Sequence, residues 1–171
     1  MRLVTLNLKL FLCSLALLAL AGCESAGGSS PESVVVGSNA PDFALSSLDG
    51  TTVKSSSLKG NVVVLNFWAT WCQPCMGEIP ELKEFAASSK VKVVGIALDE
   101  DGLKVVKPFV ENNKIDYTVL LGDQEVFQRF NGLGIPYTLV LDRSQRIVKI
   151  YRGPATRASL EEDVKMIERG S

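Results

Sequence analysis

The stretch Thr70-Trp71-Cys72-Gln73-Pro74-Cys75-Met76-Gly77-Glu78 holds two cysteines three positions apart, with a proline directly before the second and a carboxylate three positions after it. A pair of this kind can clamp a metal, anchor a haem, staple a fold, meet a peroxide, or cycle between dithiol and disulfide. The chain contains no histidine. A structural zinc site takes four ligands, usually cysteine or histidine, and here only carboxylates could complete the set, so no metal is expected. Covalent haem attachment takes a histidine directly after the second cysteine, where this chain has Met76. A staple across so short a loop removes little entropy from the unfolded chain. Reversible thiol chemistry is the reading that fits this inventory, and it calls for no cofactor.

The elements that must position the pair are legible around it. Asn61–Trp68 (NVVVLNFW) is a near-continuous β-branched and aromatic run, the mark of a strand buried on both faces. After the cysteines, Cys75, Ile79, Leu82 and Ala86 fall on one stripe of a helix. Cys72 then sits at the exposed N-terminus of that helix, where unpaired amides and the helix dipole favour a thiolate, while Cys75 lies one turn in and is shielded. Pro74 suits the first helical turn, and Pro80 falls inside the helix and is expected to kink it. Glu78 shares the side of Cys75. Together with Glu81 and Glu84 it could equally belong to a solvated face, and the residues alone leave that open.

Further along, Asp42–Val53 predicts a hairpin turning at Asp49-Gly50, Val91–Leu98 a second buried strand, and residues 100–113 a helix containing Pro108. Tyr117–Gly122 is a short strand and Gln124–Phe130 a short helix. Tyr137–Asp142 and Arg146–Arg152 form an antiparallel pair, and Ser159 with Glu162 makes a capping box for a closing helix to about Arg169. Alternating strands and helices that end in a hairpin predict an α/β fold, a mixed sheet with helices on both faces.

The first residues differ in character. Arg2 and Lys9 precede an apolar run from Leu10 to Leu20, followed by Ala21, Gly22 and Cys23. That is a secretory signal over residues 1–22, too short to span a membrane, and Leu20-Ala21-Gly22-Cys23 resembles a bacterial lipobox in which Cys23 is lipidated after cleavage. Cleavage there would remove two basic residues and no acidic one, taking the net charge from −1 to −3. No basic run exists, so no nucleic-acid partner is expected. Residues 23–37 are small and polar, a flexible tether, and residues 38–171 form the folded domain.

Asn-Phe-Trp-Ala-Thr-Trp-Cys-Gln-Pro-Cys at 66–75, Pro80, and Gly134-Ile135-Pro136-Tyr137-Thr138 together resemble the thioredoxin superfamily, and within it the membrane-anchored TlpA/ResA-like thiol–disulfide oxidoreductases of the redoxin branch. The resemblance implies a thioredoxin-like fold with an N-terminal β-hairpin and a central strand–helix insertion near residues 100–122. It implies catalysis by Cys72 and Cys75 and a base role for Glu78, since Asn66 stands where cytoplasmic thioredoxins carry a buried aspartate. It also implies a cis Ile135–Pro136 bond opposite the cysteines, where the proline alone predicts trans. Ile135, Pro136 and Trp71 would meet the substrate, with Gly132 and Gly134 giving that loop flexibility.

The expected partners are a disulfide-bearing protein, with apocytochrome c as the candidate from the family, a membrane thiol electron donor, and the membrane itself through Cys23. The domain is expected as a monomer facing the periplasm or the cell exterior. Three other classes stay open. A thiol peroxidase would need a threonine or serine three residues before its cysteine, where this chain has Ala69. A disulfide oxidant usually stabilises its thiolate through a histidine between the cysteines, and Gln73-Pro74 offers none. A non-catalytic binding lipoprotein would carry the pair unused.

Overall fold

The computed structural model describes residues 34–170. The expected signal segment and Cys23 lie outside these residues. Seven strands form one mixed sheet: β1 (Ala44–Ser47), β2 (Thr52–Lys54), β3 (Val63–Trp68), β4 (Lys92–Ala97), β5 (Thr118–Leu121), β6 (Tyr137–Leu141) and β7 (Ile147–Arg152). Their order is β2-β1-β5-β4-β3-β6-β7, with β3, β4 and β5 parallel and the remaining pairings antiparallel. Four helices cover it: α1 (Gln73–Ser88), α2 (Leu103–Asn112), α3 (Gln124–Arg129) and α4 (Arg157–Arg169). The expected hairpin is β1–β2, and α2–β5 is the central insertion. This is the thioredoxin-like α/β fold.

Strand alternation sorts β3 between two cores. Val63, Leu65 and Phe67 face a cluster with Phe127 and Phe130 beside α3. Val64, Asn66 and Trp68 therefore point to the opposite face, where α1, α2 and α4 pack. With both faces covered, every residue of β3 is buried, which explains its unbroken apolar run. The buried stripe of α1 is Cys75, Glu78, Ile79, Leu82 and Phe85. Phe85 takes the deep position expected of Ala86, which is only partly buried against the same cluster.

Two boundaries differ from expectation. Thr156, not Ser159, caps α4: the Thr156 hydroxyl accepts from the Ser159 amide, and Ser159 completes the box as its third residue. The helix starts earlier because Arg157 at its first position is held by α1, with its amide donating to Glu81 Oε2 at 2.8 Å and its side chain pairing with Glu84. Packing also reaches into the segment read as tether. Val34 is 3% exposed within the α3-side core, and Gly37 donates its amide to the Ile147 carbonyl at 2.7 Å.

Candidate active site

β3 ends at Trp68, and a tight turn carries the chain into α1. Cys72 is the N-cap of that helix, its Sγ accepting from the Cys75 amide at 3.3 Å, with Pro74 in the first turn where no donor is needed. Cys72 and Cys75 are joined as a disulfide, with Cα atoms 5.3 Å apart. Against the expected contrast, both cysteines are buried, Cys72 at 4% and Cys75 at 1% exposure. Ile135 packs against the cluster that contains both cysteines. Trp71, by contrast, is 70% exposed.

Glu78 is not on a solvated face; it is 1% exposed. Three donors hold its carboxylate: Asn66 Nδ2 to Oε2 at 2.9 Å, Thr138 Oγ1 to Oε1 at 3.0 Å, and the Ala155 amide to Oε1 at 2.9 Å. Asn66 Nδ2 also donates to Thr138 Oγ1 at 2.8 Å, so the network closes on itself. Burial pushes the Glu78 carboxyl above the usual carboxylate range, against the opposing pull of those three hydrogen bonds. Glu81 and Glu84 do something different: both receive hydrogen bonds from Arg157 at the start of α4.

Sheet register explains this grouping. Asn66 lies directly across from Thr138 on β6 and from Gly95 on β4. All three face α1, and Gly95 leaves room for the indole of Trp68: a Cβ there would come within 2.9 Å of Trp68 Nε1 and 3.2 Å of the Tyr117 ring. Among the described residues, the buried polar side-chain atoms without a hydrogen-bond partner are Asn66 Oδ1, Trp68 Nε1 and the Tyr117 hydroxyl. Burial raises the Tyr117 hydroxyl pKa, with the Glu78 charge adding to it, so this group stays protonated.

The Ile135–Pro136 peptide is cis, as the resemblance implied and the bare proline did not. Gly132 has another role than flexibility: any Cβ there would overlap the Phe127 ring, at 2.1 Å, so glycine lets the loop lie against α3. Sequence reasoning missed Thr138, Ala155 and Asp99. Thr138 carried a signal, as the one non-aromatic polar side chain in the strand Tyr137–Leu141. Asp99 is buried, and its carboxylate accepts from both the amide and the hydroxyl of Thr70, fixing the turn before the cysteines. Ala155 acts through its backbone, which no side-chain pattern reveals. No group of residues suited to hold a metal occurs among those described.

A family model described as Redoxin matches residues 35–165. The chain belongs to the Redoxin family. Thiol-disulfide oxidoreductase ResA of Bacillus cereus is 32% identical over 142 residues, covering 81% of this chain and 82% of that protein. The structure of a thiol:disulfide interchange protein of the thioredoxin family from Chlorobium tepidum matches with TM-score 0.68 and 34% identity, covering 79% of this chain and 99% of that one. StoA from Bacillus subtilis matches with TM-score 0.64 and 27% identity, over 77% and 99%. With its cysteine pair joined at the start of α1, this redoxin is a thioredoxin-like thiol–disulfide oxidoreductase.

Proposed function

We propose that this redoxin works as a reductant of protein disulfides outside the cytoplasm, with Cys72 as nucleophile, Cys75 as resolving thiol and Glu78 as the base for Cys75. The observation that carries the reading is the buried Glu78 carboxylate, one helical turn behind Cys75 and held by three donors. In one turnover the Cys72 thiolate attacks a substrate disulfide, forming a mixed disulfide and expelling one substrate thiolate. Cys75 gives its proton to Glu78 and attacks the Cys72 sulfur, expelling the second substrate thiolate. Two electrons pass to the substrate, the proton follows to the leaving thiolate, and Cys72–Cys75 is left as the disulfide. The anionic carboxylate disfavours the thiolates, which biases the couple toward disulfide and so toward reducing power.

Trp71, Ile135 and Pro136 contact the substrate in this reading. Apocytochrome c as substrate and a membrane thiol donor that resets the pair come from the family resemblance, and the lipid anchor at Cys23 from the lipobox. The deciding experiment is the reduction potential of Cys72–Cys75 by thiol trapping in defined redox buffers at pH 7. A value at or below about −200 mV is expected; one near about −120 mV overturns the reductant reading in favour of a disulfide donor. For the anchor, Cys23→Ser is expected to release the protein from the membrane fraction, and unchanged retention overturns it.

A further inference from the structure

The two most exposed large apolar side chains among the described residues border one hollow. Leu133 is 87% exposed and Trp71 is 70% exposed. Trp71 directly precedes Cys72, and Leu133 lies two residues before the cis bond. A single exposed leucine is ordinary, but these two line one hollow of about 620 Å³. Its other lining residues include Phe127, Ile135 and three consecutive carboxylates, Asp99, Glu100 and Asp101, with no basic side chain.

Leu133 also borders a second hollow of about 400 Å³, where the one charged lining residue is Arg152. The Arg152 guanidinium lies over the Tyr137 ring, 5.7 Å from its centroid. Exposed Leu133 is thus shared by an acidic hollow and a basic one, both also lined by Ile135, which packs against the cluster that holds the cysteines.

We propose that this shared surface is the docking surface for an extended substrate segment that crosses Leu133 with an apolar contact, places a basic side chain toward Asp99–Asp101, and places an acidic side chain toward Arg152. Built on the reductase reading above, it names the substrate class as a charge-polarised segment around the target cysteine. Leu133 supplies apolar contact, and the charges of opposite sign in the two hollows set the direction of the bound chain.

The test uses disulfide-bearing peptides with lysine on one flank of the cysteine and glutamate on the other, in both orders. At low salt one order should exchange with the protein up to roughly fivefold faster than its reverse, the reach of exposed charge pairs, and the ratio should shrink as salt rises. Glu100→Lys combined with Asp101→Lys should abolish or invert the ratio. Leu133→Ser should slow both orders. Equal rates for the two orders, a ratio preserved in the double variant, or peptide rates indifferent to Leu133→Ser each overturn the proposal. Exchange is followed in both directions, so a protein that oxidised rather than reduced these peptides would contradict the reductase reading while still reporting their preference.

Discussion

Asn66 and Glu78 meet across the interface of β3 and α1: the Asn66 amide donates to Glu78 Oε2 at 2.9 Å, with both side chains only 1% exposed. The buried carboxylate of this site thus comes from the helix, and the strand supplies a neutral donor that holds it. An asparagine cannot take up a proton at this position, so the proposed mechanism routes the proton through Glu78.

Glu78→Gln tests that division. The folded protein raises the Glu78 pKa, so it binds this proton more tightly than the unfolded chain does. The resulting stabilisation is fully present below the unfolded value, near 4.5, and is lost as pH rises through the higher folded value. In urea melts between pH 4 and pH 8, wild type should therefore lose stability relative to Glu78→Gln, at no more than about 1.4 kcal/mol per pH unit. The same substitution should shift the pH dependence of Cys75 reactivity; an unchanged titration of both cysteines would remove Glu78 from the mechanism.

Thr138→Val removes a donor to Glu78 and the acceptor of Asn66 Nδ2 together. The loss of a hydrogen bond to the charged form should raise the Glu78 pKa further, read by carboxyl NMR of the oxidised protein, where the cysteines do not titrate. Stability at neutral pH should fall by about 1–3 kcal/mol. A pKa that stayed put or fell would show that Thr138 does not support the carboxylate.

Gly95→Ala places a methyl against Trp68 Nε1 and the Tyr117 ring. A loss of about 1–3 kcal/mol is expected in chemical denaturation, with a change in tryptophan fluorescence as the indole gives way. Wild-type stability and an unaltered spectrum would contradict this close approach.

Cys75→Ser should accumulate a mixed disulfide between Cys72 and a substrate protein or peptide, because the resolving thiol is gone. Cys72→Ser should accumulate none. Non-reducing electrophoresis separates the two outcomes, and trapping through Cys75 in the Cys72→Ser variant would reverse the assigned roles.

Much of this site could be read along the chain. Consecutive β-branched and aromatic residues are best satisfied by a strand covered on both faces, so the run Asn61–Trp68 announces the strand found at Val63–Trp68, and Pro74 and the apolar stripe put Cys72 and Cys75 at the start of the helix that follows it. These are local preferences, expressed within a few residues.

Long-range partners settled what local preference left open. Helical spacing put Glu78 beside Cys75 but also beside Glu81 and Glu84, and only the arrival of Thr138 from β6 and of the Ala155 amide from beyond β7 makes its position a buried one. Thr156 outranks Ser159 as a cap because α1 holds the Arg157 backbone, and the role of Gly132 follows from where Phe127 packs. Propensity and periodicity act between near neighbours, so the elements and the two sulfurs were legible along the chain. The tertiary structure alone decided which carboxylate is buried and which donors it keeps, because desolvation and hydrogen bonding depend on groups brought together from some 60 to 77 positions away.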